Sequence, residues 1–502
     1  MALDKKTSSR NTVEPVAETA TAPTLPERYA DESYKLFSQV EVSEASPEKA
    51  RDIRNKCLWR ILPFLCIGYH LMYLDKQTLG SSSILGIMDD AHLNSNQYNW
   101  LSSIFYFGYL IAEWPQNWAL QRFPVAKWLA GNLIVWGGIT ILHIPCNNFG
   151  SLFVVRILLG VAEAVIVPAF LLTMSMFFTY QEQSVIMPIM WACGNSSPIT
   201  SVITGVVTII FGVVVWIMFP DNPLQAQFLT IEERAQAILR IKENHSGIEQ
   251  KRFKKHQFIE ALKDPKTWLF FLHAWSQEMA NGTTNQYSLI IQSFGFTTAE
   301  TTLLGCVSGG TALVSLLTAA VILHTTTNCR AWLSAFSYLF CIVSAVLLMT
   351  LPWSNKWGLV TGIWIRSPGG IPYSVVMVWA ANCSAGHTKK TTVIALYHIG
   401  YGLGNILSPQ LFQPRWKPRY YPTWTVILVV ASIFPALIVL YLRYYLVQEN
   451  KRRDRLADTN HCTDTGIVES YDDDTGNKII HVVNANQLDL TDRENLSFRY
   501  VL

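Results

Sequence analysis

Ionisable side chains inside apolar stretches are the residues of this chain best suited to chemistry. Lys76 follows Asp75 in the segment YLDKQTLG, and Arg156 and Glu163 lie seven residues apart in RILLGVAEAVIVP. A charged side chain at bilayer depth is costly unless it is paired or hydrated, so such residues mark candidate sites for substrates or protons. The alternatives are a Lys76 that extends to the lipid headgroups and an Arg156 held in a structural ion pair.

Roles for these residues follow from their charge. Lys76 offers a cationic contact for an anionic substrate. Glu163 is the best candidate for carrying a proton, because burial favours the protonated form of a carboxyl group and a nearby cation favours the ionised form. Asp75 is a second proton-coupling candidate, since neighbouring helix residues project about 100° apart and both can line one cavity. Glu113, in AEWPQN, is assigned a structural or gating role, as is Arg156.

Amide and aromatic side chains on two later segments suggest where a solute binds. HAWSQEMANGTTNQYS contains Gly282 among polar residues and predicts a helix broken midway, where unwound backbone can hold a solute. A second segment carries Tyr397, His398, Tyr401 and Asn405, for half of which core packing is the alternative. Besides Lys76, the predicted substrate-binding residues are Asn281, Asn285, Tyr287, Tyr397 and Asn405. Arg366, beside a Pro-Gly-Gly-Ile-Pro run, indicates a disrupted or snorkelling helix rather than an anion contact.

Composition then fixes the class of protein. Of 502 residues, 50% are hydrophobic and only 15% are charged, against about 25% charged in ordinary soluble chains. The sequence predicts an all-α polytopic membrane protein and excludes a disordered chain, a disulfide scaffold and a free nucleic-acid binder. Phosphate-loop, HExxH and GxSxG motifs are absent from the sequence, and the nine cysteines form no CxxC pair, so we expect no enzyme, cofactor or metal site.

Apolar runs of roughly 20 residues predict the spans. Ten are placed at 58–85, 98–120, 127–146, 152–178, 267–293, 301–324, 331–352, 357–381, 391–412 and 423–446. The segment 184–220 is too long for one span, whereas two spans with a turn need about 44 residues. Basic residues before the first span and in 234–266 put both ends of the first half on the cytosolic side, which requires an even number of crossings. Either this segment is a compressed pair of half-length spans, or the chain has lost about one helix.

The predicted organisation has five parts. They are a cytosolic tail (1–56), an N-terminal helix bundle (57–220), a cytosolic central loop (221–266), a C-terminal helix bundle (267–447) and a cytosolic acidic tail (448–502). Two six-helix bundles, with 11 to 12 spans in all, are typical of secondary transporters.

Several motifs together resemble one known family. YLDKQTLG, LQRFPVAKWL, RILLGVAEAVIVPAF, AGHTKKTT and GYGLGNILSPQLF, in this order, are similar to the fungal allantoate permease type of the anion:cation symporter family, in the major facilitator superfamily. The resemblance covers about residues 50–455. It implies proton-coupled uptake of organic anions or carboxylate nutrients such as allantoate, ureidosuccinate, nicotinate or pantothenate. It also implies a plasma-membrane location with both termini cytosolic.

The resemblance also assigns residues. Lys76 falls where related anion carriers have an arginine near the substrate, and Glu163 falls on the acid implicated in proton coupling. Arg122 and Lys127 are the basic remnants of a gating loop that is replaced here by LQRFPVAKW, so they are structural or gating candidates.

Three departures from the family pattern stand out. Helices five and six look fused by a deletion of about 25 to 30 residues, about one span, Glu278 is unusual at its position, and Arg366 is not a recognised family feature.

The leading hypothesis is a symporter that works by alternating access, with a small organic anion, a proton and the lipid bilayer as its partners and no nucleic acid. The alternative is a nutrient receptor or a degenerate, non-transporting relative. The sequence leaves the oligomeric state open.

Overall fold

A computed structural model describes residues 46–195, 204–242, 254–326, 328–459, 465–471, 478–484, 491–495 and 498–502. Twelve helical elements in these residues, α1 to α12, follow the predicted spans in order. In the described residues, five helical stretches are long and apolar enough to cross a membrane: Pro47–Ile84, Phe149–Phe177, Thr298–Thr325, Arg330–Thr350 and Tyr421–Leu456. The all-α membrane fold predicted from the sequence is confirmed.

The first half contains α1 to α6. They are α1 (Pro47–Leu85), α2 (Ser95–Arg122), α3 (Val125–Ile141), α4 (Phe149–Glu163 and Ile166–Phe177), α5 (Tyr180–Asn195) and α6 (Thr204–Met218). The α1 helix begins well before the predicted residue 58, because Ser46 caps it, Pro47 occupies its first turn and Glu48 complements its dipole. Asn94 and Gln97 form a capping box that starts α2.

The second half contains α7 to α12, and three of these helices are interrupted. The elements are α7 (Pro265–Glu278, Gly282–Asn285 and Tyr287–Ser293), α8 (Thr298–Thr325), α9 (Arg330–Thr350), α10 (Lys356–Ile365 and Ile371–Asn382), α11 (His387–Leu407) and α12 (Tyr421–Leu428 and Phe434–Thr459). A 3₁₀ turn, Ser367–Gly370, joins the parts of α10, and a π-turn, Val429–Ile433, joins those of α12. The predicted break in α7 is confirmed.

The two halves pack on each other through matched helices. Helix α5 lies along α8, α2 lies along α11, and α1 contacts α7. We call the side of the molecule where α1 begins and α12 ends the tail side, and the opposite side the far side. Two helices of the central segment, Ile231–Lys242 and Lys255–Lys263, cover the tail side, where Lys56 of α1 pairs with Glu233 at 2.5 Å.

Helices α5 and α6 are short, and the start of α5 lies on the same side of the molecule as the end of α6. Arg240 donates to the Phe177 carbonyl and to Glu182 at the start of α5, while Asp221, just after α6, accepts from the backbone of Ala126 at the start of α3. Both ends of the pair therefore lie on the tail side. At about 24 and 22 Å, each helix is shorter than the roughly 30 Å of bilayer hydrocarbon.

The level at which α5 ends is set by its contacts with α1. His70 bonds the Cys193 carbonyl at 2.9 Å, and Gly194 packs against Tyr69 and Tyr73, whereas α1 continues to Leu85. Of the two explanations for the segment 184–220, the structure favours the compressed pair. Such a pair agrees with the even number of crossings that the charge pattern requires.

The C-terminal region contains structure that the sequence did not predict. Strand β1 (Thr465–Tyr471) pairs antiparallel with β2 (Lys478–Asn484), with Val468 opposite His481. Beyond the hairpin, Asp492 is buried against the tail side of the second half, where its carboxylate pairs with Lys389 at 2.8 Å and with Lys266. The end of the predicted acidic tail is therefore docked on the helices.

Candidate functional site

An ion pair between α1 and α4 lies at the centre of the first half. The Lys76 ammonium is 2.7 Å from Glu163, whose side chain is fully buried. Apart from this cation, the Glu163 carboxylate has no hydrogen-bond donor among the described residues. Glu163 is the last residue of the first part of α4, and the helix is interrupted directly after it, at Ala164 and Val165. A single cation thus compensates a carboxylate that water does not reach.

Asp75 and Arg156 form a second, looser set of charges beside this pair. Asp75 is 3% exposed, and one of its oxygens receives a hydrogen bond of 3.4 Å from Thr140 of α3, while the other has no donor in the described chain. Arg156 is also buried, and Asp75 and Glu163 are the acids that act on it electrostatically. No ion pair of Arg156 with a described acid is seen, so the structural ion pair considered as an alternative is not observed.

A polar network joins α7 and α11 across from Lys76. The Asn281 amide donates to Asn405 at 2.5 Å and lies 3.4 Å from the Tyr106 hydroxyl of α2. Asn405 in turn donates to the Glu278 carboxylate at 2.9 Å. The Tyr106 ring is 6.0 Å from the Lys76 ammonium, which also lies over Tyr73 and Phe105. The network and the ion pair therefore face the same space between the halves.

Glycines on α11 allow this network to form. A Cβ atom at Gly404 would lie 2.5 Å from the Trp275 carbonyl and 2.7 Å from the Glu278 Cβ, and one at Gly400 would lie 2.6 Å from the Phe271 carbonyl. The break in α7 is held by Ser408, whose hydroxyl accepts from the Gly282 backbone and donates to the Met279 carbonyl. Close helix contact thus brings Asn405 to Glu278.

Aromatic rings bridge the two halves beside the charged groups. The Trp191 ring of α5 lies 4.7 Å from the Tyr373 ring of α10, and Tyr401 of α11 lies 6.0 Å from Tyr106. Tyr69 and Tyr73 of α1 pack on Trp191 at 5.6 and 5.5 Å. The space between the halves is therefore lined by rings as well as by charges.

Hydrogen bonds between the halves concentrate on the far side. Asn99 of α2 donates to the Phe412 carbonyl at 3.0 Å, Ser103 donates to the Ile406 carbonyl at 2.7 Å, and Tyr98 donates to the Asn285 carbonyl at 3.2 Å. These bonds close the far side in this conformation.

The predicted gating residues lie elsewhere. Glu113 is buried on α2, 3.9 Å from His398 of α11, and so touches the second half. Arg122 stacks over Trp118 of its own helix at 5.0 Å, and both Arg122 and Lys127 are exposed at the tail side without an ion pair among the described residues. The contact between Glu113 and α11 suits a gating role, whereas the arrangement of Arg122 and Lys127 gives no gating pair.

Three predicted substrate residues are not brought to the ion pair. Asn285 lies where α7 meets α1 on the far side, with its carbonyl 3.2 Å from the position of a Cβ at Gly80. Tyr287 donates to the Leu304 carbonyl of α8 at 2.9 Å, and Tyr397 donates to the Tyr373 carbonyl at 3.2 Å. Lys76, Asn281 and Asn405 are the substrate candidates that the fold assembles, with Glu163 and Asp75 close by.

Four residues that the fold places here were not among the predicted site residues. Glu278 was considered as pore-lining or as an interhelical hydrogen-bonding residue, and for Arg366 a snorkelling or disrupted helix was favoured over an anion contact. Tyr106 and Trp191 were not considered. Arg366 lies at the break in α10 and turns inward to the Thr283 hydroxyl of α7, not outward to lipid. The sequence did contain a signal for Glu278 and Arg366, because an ionisable residue inside a predicted span is itself a candidate for a site.

Comparison with known proteins defines the family. Residues 65–409 match the Major Facilitator Superfamily. An uncharacterised transporter of Schizosaccharomyces pombe is 36% identical, with 89% of this chain and 84% of that protein aligned. In Saccharomyces cerevisiae, a high affinity cysteine transporter is 32% identical, covering 95% and 96% of the two chains, and allantoate permease is 30% identical, covering 98% and 94%.

The alignments with the two Saccharomyces proteins are longer than this chain. They extend over 511 and 531 positions for the two Saccharomyces proteins, more than the 502 residues of this chain, so both relatives hold positions with no counterpart here. The predicted resemblance to allantoate permease is confirmed. With two packed helical halves, buried charges between them and these relatives, the chain belongs to the Major Facilitator Superfamily and is an integral membrane transporter.

Proposed function

We propose that the protein takes up a small carboxylate nutrient together with a proton by alternating access. The observation that carries this proposal is the buried pair of Lys76 and Glu163. At the centre of the first half, two cations, Lys76 and Arg156, balance two acids, Asp75 and Glu163. A substrate carboxylate that enters this space adds one negative charge to a balanced set.

The ion pair supplies the coupling. A substrate carboxylate that takes over Lys76 leaves Glu163 buried without its counter-charge, a state that costs several kcal/mol. Proton binding to Glu163 removes that cost, so substrate and proton bind together and leave together. When both have left, Lys76 and Glu163 pair again, and the empty carrier can reorient with its charges compensated.

Alternating access also requires that the path to one side can be closed, and the hydrogen bonds between the halves close the far side. The substrate reaches the site from the far side only after the contacts of Asn99, Ser103 and Tyr98 with the second half break. Rocking of the two halves around a central site is the motion expected of such a repeat architecture. The cytosolic orientation of both termini and the plasma-membrane location belong to this proposal.

A second candidate function follows from the short α5–α6 pair. Helix α5 ends at Tyr69 and Tyr73 of α1, whereas α1 continues to Leu85. A carrier with such a shortened helix is a candidate nutrient receptor or a relative that has lost transport. Concentrative uptake separates the two functions.

The experiment uses the full-length protein in proteoliposomes with an inside-alkaline pH gradient and labelled allantoate or cysteine, the compounds named for its relatives. We expect accumulation above the external concentration, and collapse of the gradient with a protonophore abolishes it. Saturable binding of either probe without accumulation favours the receptor instead.

A further inference from the structure

Glu278 is a buried acid that the proposed coupling does not use. It is 7% exposed, on the last turn of the first part of α7, at the break of that helix. One carboxylate oxygen accepts from Asn405, as described above. A buried carboxylate is costly without a cation, so its counter-charge has to be identified.

No cation of the described chain pairs with Glu278. Lys76 pairs with Glu163, and Arg366 is bonded to Thr283; neither lies within 4.0 Å of the Glu278 carboxylate. Both cations act on Glu278 only at longer range. The second half thus presents an acid that no cation of the described chain pairs with, and the first half presents an ammonium whose partner is the proposed proton carrier.

We propose that Glu278 receives an ammonium group of the substrate, so that the site takes a zwitterionic α-amino acid between Lys76 and Glu278. This inference rests on the proposed function and names its substrate class. The substrate carboxylate binds Lys76 on α1, and the substrate ammonium binds Glu278 on α7.

The surroundings suit both charges. Contacts connect the two groups: the Tyr106 ring lies 6.0 Å from the Lys76 ammonium, and the Tyr106 hydroxyl lies 3.4 Å from the Asn281 amide. Asn281 donates to Asn405, which donates to Glu278. Tyrosine rings near an ammonium add cation–π attraction.

The arrangement also links recognition to movement. Lys76 belongs to the first half and Glu278 to the second, so a zwitterion that contacts both draws the halves together. A simple carboxylate contacts Lys76 alone and leaves Glu278 uncompensated. A ligand shifts a conformational equilibrium only when it binds one state more tightly than the other, and contacts with both halves favour the state in which the halves are close.

The test uses proteoliposomes that contain the full-length protein and a mixture of the proteinogenic amino acids with the carboxylic acids that lack only the α-ammonium. Mass spectrometry of the vesicle contents then measures accumulation under an inside-alkaline gradient. We expect at least one amino acid to accumulate about 10- to 100-fold more than its deaminated counterpart, the range for a lost hydrogen bond to a charged group.

Two results overturn the inference in distinguishable ways. If only deaminated acids accumulate, the zwitterion assignment is wrong and the proposed carboxylate uptake stands. If no solute accumulates, the proposed function fails as well.

Glu278→Gln tests the residue itself. We expect this variant to lose the preference for the amino acid, while Glu232→Gln, which alters an exposed glutamate of the central segment, keeps the ratio of the unaltered protein. An unchanged ratio in Glu278→Gln overturns the role of Glu278. If that variant does not fold, the comparison within the unaltered protein still decides the substrate class.

Discussion

Glu163 has one cation and no other hydrogen-bond donor in the described chain, which makes it sensitive to whatever competes for Lys76. A carboxylate with several backbone donors would stay ionised regardless of the substrate. The absence of such donors around Glu163 is therefore as important for coupling as the presence of Lys76.

Glu163→Gln separates proton coupling from substrate movement. We expect this variant to lose accumulation driven by a pH gradient, because glutamine takes up no proton, and to keep counterflow exchange of labelled for unlabelled substrate. Uptake into proteoliposomes measures both. Glu232→Gln, which alters an exposed glutamate of the central segment, is the matched control and keeps gradient-driven accumulation. If Glu163→Gln still accumulates substrate, Glu163 does not carry the proton.

Residue types inside apolar runs made part of this site predictable. Lys76, Glu163, Asn281 and Asn405 stood out because polar groups in a span are rare and therefore informative. Their partners were not predictable: the contact of Asn405 with Glu278 depends on how α7 and α11 approach, which local periodicity does not encode. Asn285 was predicted to bind substrate, but its carbonyl accepts from Tyr98 where α7 meets α1 on the far side.

At the scale of elements, the contact between α7 and α11 holds the site in shape. Gly404 faces the Trp275 carbonyl, so even a methyl group there forces the helices apart. The overpacking cost in a dense interior is typically 1–3 kcal/mol.

Gly404→Ala tests this contact. We expect a loss of about 1–3 kcal/mol of stability and a clear loss of uptake, measured by thermal unfolding in detergent and by transport. Gly310→Ala on α8 is the matched control, because nothing lies within 4 Å of a Cβ there. It should be neutral or stabilising by up to about 1 kcal/mol, as alanine favours helices. Equal behaviour of the two variants would show that α7 and α11 are not tightly packed.

The spans themselves were predictable because their length and composition are set by the bilayer. The α5–α6 pair was recognised as anomalous from its length, but its return to the tail side needed the contacts of Arg240 and Asp221. The β1–β2 hairpin was missed because its residues were assigned to an acidic tail by composition.

At the scale of the whole molecule, the chain end ties the second half together on the tail side. Asp492 contacts Lys266 at the start of α7 and Lys389 near the start of α11, and its carboxylate accepts from Tyr500 at 2.6 Å. The Trp379 indole of α10 donates to the Val501 carbonyl at 2.7 Å. The docked segment thus links three helices of one half.

The charge of Asp492 predicts how this docking responds to pH. Burial alone would raise the pKa of Asp492, but the charges of Lys266 and Lys389 and their hydrogen bonds outweigh it and hold the pKa well below its usual range. The group is ionised in both the docked and the free segment above its free pKa of about 3.9. Docking is therefore fully stabilised there and weakens only as the pH falls further, towards the docked pKa.

Hydrogen–deuterium exchange of residues 498–502, corrected for the intrinsic rate, measures this dependence. We expect constant protection between pH 8 and 5. Asp492→Asn should lower protection by about tenfold or more, because two buried lysines lose a counter-charge. Asp454→Asn, which alters an exposed pair with Arg499, is the control and should change protection little. Loss of protection already at pH 6 would contradict the assigned ion cluster.

The central claim is that the substrate carboxylate binds Lys76 while a proton binds Glu163. The most direct measurement is proton uptake by the purified protein when substrate binds, followed with a pH indicator in weak buffer, with allantoate and cysteine as probes. We predict uptake of about one proton per bound substrate, since one carboxylate loses its cation, and none in Glu163→Gln. Substrate binding without proton uptake, or the same uptake in Glu163→Gln, would contradict the account.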